Sequence, residues 1–254
     1  MTTLSITPKP ETGSHQLTIE PTGDVTRIQR TDRNGSYDVR VITGLLPWPA
    51  SNGTLVLDDY EAADGTSTYT VTTTADAVGG TGTLVMDGTV WLGLPVTPQF
   101  SAKVNTMTGY DAGLTSRNTV LEPDGSPNPI VIIRTSTSRA GTLKLWAGTY
   151  EAALALLRLC GRGQIIFLRQ PDHKGMDMFF TATGAQLSTL RTDGPNSVFG
   201  VDVGYIEVPR PRGPLSGALG WTWGELKNTY ATWGDVFNAY ATWGDLRTNT
   251  VRTT

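Results

Sequence analysis

Cysteine is nearly missing from this sequence, histidine almost as scarce, and charge of either sign is sparse. Cys160 stands alone among 254 residues. No disulfide can therefore form within the chain, and no cysteine-based zinc site can be built. His15 and His173 are the only histidines, which excludes a three-histidine metal centre and leaves any Ser-His-Asp system to use one of these two. His15 lies in a polar N-terminal stretch, and His173 lies in Gln170-Pro171-Asp172-His173-Lys174-Gly175, a solvated hairpin turn. Neither is expected to act in catalysis, so no catalytic residue, no metal and no cofactor is expected. Charged residues make up 17% of the chain, against roughly 25% in an average soluble protein, and the net charge is −3. Phosphate binding needs a basic excess or a basic stripe, so a nucleic-acid partner is not expected. No apolar run approaches the roughly 18 residues of a membrane-spanning helix. The start, MTTLSITPKPETG, lacks the charged-then-apolar layout of a secretory leader, so neither a membrane span nor a leader is expected.

What the chain has in quantity is threonine, 40 residues, and glycine, 29 residues, a pair suited to strands and tight turns rather than long helices. Residues 1–16 form an N-terminal extension, and residues 17–96 read as a run of short strands. Leu17-Thr18-Ile19-Glu20 and Val25 to Arg30 alternate apolar and polar residues, and Asp32-Arg33-Asn34-Gly35 then supplies hairpin chemistry before a return strand from Tyr37 to Ile42. Thr54 to Leu57, Thr68 to Thr73 and Thr83 to Met86 are further strands bounded by Gly, Asp or Asn. Together they predict a fibronectin/Ig-like β-sandwich. Trp48, between two prolines, is placed in an exposed loop. Asp58-Asp59-Tyr60-Glu61 and Asp32-Arg33-Asn34-Gly35 lack the ligand spacing of a calcium loop and are read as acidic strand edges and turns.

Residues 97–129 form a loop-rich linker that ends in Glu122-Pro123-Asp124-Gly125-Ser126-Pro127-Asn128-Pro129. A second β-rich domain spans residues 130–209. It opens with the apolar run Ile130 to Ile133 and carries one helix at 150–160. Thr149 caps that helix, Leu154, Leu157 and Ala153 form its apolar stripe, and Gly161 stops it. Cys160 is expected as a small buried thiol. Strands from Gln164 to Leu168 and from Met178 to Thr183 flank the Pro171–Gly175 turn, and Val198 to Val208 closes the domain. Trp91, Trp146 and Phe167 are expected in the core. Strands without alternating βα units predict a mainly β chain of two sandwich- or barrel-like domains.

The C-terminal arm, residues 210–254, begins with the proline-rich exit Pro209-Arg210-Pro211-Arg212-Gly213-Pro214. One phrase then recurs three times at a ten-residue period: Thr222-Trp223-Gly224-Glu225-Leu226, Thr232-Trp233-Gly234-Asp235-Val236 and Thr242-Trp243-Gly244-Asp245-Leu246. Each is a capping box or its aspartate form, so each opens a helix. Trp223, Leu226 and Tyr230 fall on one helical face, as do Trp233, Val236 and Tyr240, with Trp243 and Leu246 repeating the start of the pattern. A single continuous helix would turn successive phrases about 80° apart, so three short helices are expected. Helices this short need a surface to lie on, which makes these eight residues the candidate protein-interaction site.

With that tail in view, the chain resembles the minor tail proteins of siphophages that infect actinobacteria. Arg30-Thr31-Asp32-Arg33-Asn34-Gly35 and Leu57-Asp58-Asp59-Tyr60-Glu61-Ala62 resemble their fibronectin-type module. The stretch from Arg139-Ala140-Gly141-Thr142-Leu143 through the Glu151–Leu159 helix to Ile206-Glu207-Val208-Pro209 is similar to their β-rich second module, and the Thr-Trp-Gly-acid repeat is the third likeness. Together these parts cover most of the chain, and none is a catalytic motif. The resemblance implies a virion structural protein at the distal end of a non-contractile tail, made in the bacterial host cytoplasm. Its implied partners are distal tail or hub proteins, with a homo-oligomer of threefold or sixfold symmetry. The alternative is a module that binds host-surface glycan, because tryptophan faces stack on sugars.

Overall fold

The computed structural model describes residues 1–86, 90–104, 106–122, 124, 127–191, 198–215 and 230–240, without the side chains of 190 and 191. The chain is mainly β, with several antiparallel sheets and two α-helices among the described residues. It divides into two compact units. The first comprises Met1–Ser101, Arg169–Asp177 and Arg212–Thr254, and the second Ala102–Leu168 and Met178–Pro211.

The first unit is sandwich-like. One sheet has β1 (Thr3–Lys9), β2 (Ser14–Glu20) and β5 (Leu55–Asp59) in the order β1-β2-β5. The other has β3 (Val25–Asp32), β4 (Gly35–Asp38), β6 (Gly65–Thr73) and β7 (Ala77–Leu84) in the order β4-β3-β6-β7. Threonine-rich alternation puts every second residue inward. Leu17 and Ile19 of β2, Leu55 of β5, Ile28 of β3 and Val71 of β6 thus meet in one core with Trp48. The predicted hairpin forms, with Asp32 opposite Gly35, where Gly35 takes a left-handed φ of 116°.

Three expectations change here. Residues 1–16 are no loose extension, since β1 pairs with β2 from Thr3↔Glu20 to Lys9↔Ser14. Trp48 is buried: its backbone exchanges two hydrogen bonds with Val25, and its indole Nε1 donates to the Gly53 carbonyl at 3.1 Å. The prolines flank a bridge to β3, and that bridge turns the ring into the core. The C-terminal exit stays attached past Pro209, because the Leu215 amide donates to Val41 O at 3.0 Å and Arg40 donates to the Gly213 carbonyl.

In chain order, the short strands β8 (Val90–Gly93) and β9 (Ala102–Val104) come next. In the second unit, β10 (Thr106–Tyr110), β13 (Ala140–Ala147), β16 (Val198–Glu207), β15 (Met178–Arg191) and β14 (Ile166–Arg169) are successive neighbours in one sheet. Helix α1 (Tyr150–Cys160) packs on β13, β15 and β16. Thr149 Oγ1 accepts from the Ala152 amide, as its N-cap position requires. The buried stripe is Ala153, Leu156, Leu159 and Cys160, whereas Leu154 and Leu157 are only half-buried. Both sets have helical spacing, and contact with the sheet selects between them. Phe167 is buried and stacks on Phe179 directly across the β14–β15 pair at 4.3 Å between centroids, while Trp146 is only half-buried.

The expected linker, residues 97–129, carries β9, β10 and the outgoing strand of a hairpin. That hairpin pairs β11 (Thr119–Leu121) with β12 (Ile130–Ile132) and belongs to no larger sheet. The apolar run at Ile130, expected to open the second domain, is solvent-exposed.

Candidate functional site

The predicted interaction residues divide between described and undescribed parts of the chain. Trp223, Leu226, Trp243 and Leu246 lie outside the described residues, as do the first and third Thr-Trp-Gly phrases. The middle phrase forms α2 (Trp233–Ala239) with its capping box complete. Thr232 Oγ1 accepts from the Asp235 amide at 3.3 Å, and Asp235 Oδ2 accepts from the Thr232 amide at 2.9 Å. Reciprocal capping satisfies two amides that the first turn leaves without helical partners.

The faces of α2 differ from the expected single stripe. Val236 and Tyr240 are buried together, with Tyr230 and Ala239 packed on them and the Tyr230 and Tyr240 rings 6.1 Å apart edge to face. Trp233 is 50% exposed, and Phe237, one turn on and absent from the expected set, is 57% exposed. Trp233 and Phe237 are spaced i, i+4 and share a side, whereas Val236 and Tyr240 occupy the neighbouring one. The i, i+3, i+7 reading merged these two faces. The signal for Phe237 was its four-residue distance from Trp233.

A second group of functional candidates was invisible to sequence pattern. At one end of the first unit's sandwich the inward faces of four strands turn polar together. His15 on β2, Asp59 on β5, Arg30 and Asp32 on β3, and Tyr69 on β6 continue the same faces that carry Leu17, Leu55, Ile28 and Val71. Arg30 Nη1 donates to both Asp59 oxygens at 2.8 and 2.7 Å, and its Nε lies 2.8 Å from Asp32 Oδ2. Tyr69 donates to Asp59 at 2.9 Å, and the Glu61 amide donates to it at 3.1 Å. Burial pushes the Asp59 carboxyl upward, but the Arg30 charge and these hydrogen bonds outweigh that and hold it below the usual carboxylate range. His15 Nδ1 lies 3.0 Å from the Tyr69 hydroxyl. Because that hydroxyl donates to Asp59, Nδ1 carries the proton and donates. Burial then lowers the His15 pKa and keeps the imidazole neutral.

The network extends outward through further pairs. Arg40 donates to Glu61 at 2.9 Å, and Arg33 donates through Nε and Nη2 to both oxygens of Asp177, each at 2.9 Å. Arg169 is fully buried; its Nη1 donates to the Gly13 and Ala62 carbonyls at 2.5 and 2.9 Å, and its guanidinium lies over the Trp91 ring. Burial pulls its pKa down to about 10. Gly13 has φ 61°, which favours glycine, and a Cβ there would stand 3.0 Å from Arg169 Nη2, a tight contact. Three arginines, Arg30, Arg33 and Arg40, thus pair with four carboxylates, Asp32, Asp59, Glu61 and Asp177, while Arg169 is buried against backbone carbonyls. Asp59 does lie on the edge strand β5 and Asp32 at the β3–β4 turn, as read from the sequence, but their carboxylates, with that of Glu61, are buried in ion pairs. His15, read as polar N-terminal surface, is buried among them.

Such pairing occupies carboxylate and guanidinium groups with one another, and removing one partner leaves the other charge buried and uncompensated. Among the described residues, no three His, Cys, Asp or Glu side chains converge as metal ligands. Also among them, no helix is long and apolar enough to cross a membrane. Among its described residues, the second unit carries one comparable pair near its surface: Arg139 donates through Nε and Nη2 to both Glu207 oxygens at 2.7 and 2.8 Å. Cys160 is buried and its thiol is pushed up to about 11 by that burial, so it stays protonated near neutrality. No protein-family model and no curated protein matches this chain.

Proposed function

We propose that this chain is a structural subunit of the distal tail of a long-tailed, non-contractile phage, assembled in several copies against other tail proteins. The reading rests on the resemblance carried by the Thr-Trp-Gly-acid repeat. One observation gives that repeat a physical role, since its middle copy builds a capped helix whose Val236 and Tyr240 are buried while about half of Trp233 and of Phe237 is exposed. About half of each exposed ring remains uncovered, on the order of 100 Å² per residue. Covering it with a partner subunit contributes roughly 2–3 kcal/mol per ring. A seven-residue helix has little stability of its own, so such a contact favours both the helix and the assembly.

Labelling intact tailed particles with an antibody against this chain tests the placement. Label at the distal tail is expected, and label on the shaft, on the capsid or on no particle overturns it. A chain ending at residue 215 keeps the Leu215–Val41 attachment and is expected to fold as the parent does, yet to be missing from particles. Normal incorporation of that truncated chain removes the arm from assembly.

The exposed Trp233 also favours a second reading, stacking on host-surface glycan. Retention on host cell-wall polysaccharide that disappears in Trp233→Ala is its signature. Loss of assembly in the same variant, without any retention by the parent, is the signature of the structural reading.

A further inference from the structure

The β11–β12 hairpin exposes Val120, Leu121, Ile130, Val131, Ile132 and Ile133, each between 43% and 83% accessible. Both faces are open. Leu121↔Ile130 and Thr119↔Ile132 point to one side and Val120↔Val131 to the other, and no third strand pairs with either edge among the described residues. The hairpin is firmly rooted. At its base Gly113 and Ala140 exchange backbone hydrogen bonds, the Thr137 amide donates to Thr115 O at 3.0 Å, and the Arg134 amide donates to Asn118 Oδ1 at 2.8 Å. A two-stranded hairpin is marginal by itself in water, and an open apolar edge is a template for further pairing.

The chemistry of the two edges points to the occupant. Residues before β12 include Pro127 and Pro129, which lack the amide that an added strand needs. The β11 side, Thr115-Ser116-Arg117-Asn118-Thr119-Val120-Leu121-Glu122, contains neither proline nor lysine, the usual guards of an edge. Its charges are polarised: Arg117 lies at the base with Arg134 close by, whereas Glu122 and Asp124 lie at the tip, and all four are exposed. Two copies laid antiparallel along β11 bring the acidic tip of each to the basic base of the other. A parallel arrangement sets like charges together, and so does contact with any strongly charged surface. Of the six side chains, Val120 and Leu121 stand on β11 beside that edge, 55% and 48% exposed, whereas Ile130 to Ile133 lie on and just past β12, one strand further in.

We infer that the outer edge of β11 is a self-association site, where a second copy of this chain adds antiparallel to form a four-stranded sheet centred on Val120. The contact is isologous and closes at two copies. In a threefold or sixfold ring it joins two rings or pairs free subunits, and is not the contact that closes the ring. The inference deepens the assembly reading without resting on the particle. A chain that pairs through β11 yet is absent from virions overturns the tail assignment alone. A chain found at the tail but unable to pair overturns the self-association alone.

The full-length chain provides the test. Light scattering of the purified protein at micromolar concentration is expected to give the mass of two copies. Val120→Cys sits beside its own symmetry mate, and because Cys160 is buried, mild oxidation reports this one position. It is expected to cross-link at least tenfold faster than Val85→Cys, an exposed valine in the first unit. Arg117→Glu and Glu122→Arg are each expected to weaken association roughly tenfold, and the double reversal to restore it, with thermal melts confirming that every variant is folded. A monomeric parent with equal cross-linking at both cysteines overturns the inference. So do charge reversals that leave association unchanged, and so does binding to lipid vesicles or another protein without any self-association.

Discussion

The two units bury different things. Every buried polar or charged residue among those described belongs to the first unit, including Arg30, Arg40, Asp59, Glu61 and Arg169. The second unit fills its interior with Leu143, Leu145, Leu156, Phe180, Val201, Val203 and Tyr205, and leaves its arginine–glutamate pair near the surface. An apolar interior is tolerant, because it holds whenever size and pattern are roughly right. An interior that pairs arginines with carboxylates is exacting, because each missing partner leaves a buried charge uncompensated. The first unit therefore runs a risk that the second does not. The second has its exposed weakness elsewhere, in the apolar hairpin outside its core.

Deleting one charge from the first unit gives the largest expected effect. Arg30→Met leaves Asp32 and Asp59 facing each other in the interior and is expected to destabilise by about 3–5 kcal/mol. Leu145→Ala in the second unit is expected to cost a similar amount, about 2–5 kcal/mol, through its cavity. Acid separates the two. Without Arg30, burial raises the Asp59 pKa, so lowering the pH protonates the stranded carboxyl and narrows the gap between variant and parent. The Leu145→Ala deficit has no titrating group and is expected to stay constant. Urea melts at pH 7 and pH 5 measure both, and equal pH response in the two variants would remove the distinction between the units.

Much of the strand pattern was legible because period-two alternation is a local property. The Asp32–Gly35 hairpin, the Thr149 cap and the Thr232–Asp235 box are equally local, each set by residues within three positions of one another. The charge network was not. His15 and Asp59 are partners only because β2 and β5 pair in the register His15↔Asp59, and Arg30 reaches them from the opposite sheet. Nothing in Val25 to Arg30 distinguishes an inward arginine from an outward one. Ile130 to Ile133 misled for the converse reason: a short apolar run is the same string whether or not another layer covers it. The aromatic arm was half legible, since helical spacing places Val236 and Tyr240 together but leaves open which side meets protein.

A smaller effect sharpens the comparison through pH alone. The folded-state pKa of His15 is lowered, so between that value and its ordinary 6.5 the unfolded chain binds the extra proton. Stability from the neutral imidazole is fully present above about 6.5 and declines as the pH falls below it, by at most ~1.4 kcal/mol per pH unit. Thermal melts of the parent are expected to lose stability from pH 7 to pH 5. His15→Gln is expected to be less stable at pH 7 and to show a flatter acid slope. The second unit has no histidine, so an unchanged slope in this variant would assign the acid response to carboxylates, including the Arg139-bound Glu207, whose hydrogen bonds hold it below its ordinary range.

The smallest expected effect concerns α2, which shares neither kind of core. Its cap is exposed, its buried face amounts to Val236 and Tyr240, and its stability depends on the Thr232–Asp235 exchange. Thr232→Ala removes the hydroxyl that accepts from the Asp235 amide and is expected to cost the helix about 1 kcal/mol. That loss is local, since the helix contributes little to the sandwich. Hydrogen exchange should therefore quicken about fivefold at the amides of Val236 and Tyr240, which bond to Thr232 O and Val236 O, while the melting temperature of the body stays fixed. Thr232→Ser retains the cap and should restore slow exchange. A fall in the melting temperature of the body in Thr232→Ala would show α2 to be part of the first unit's cooperative core, and the repeat would then act in folding rather than as an assembly arm.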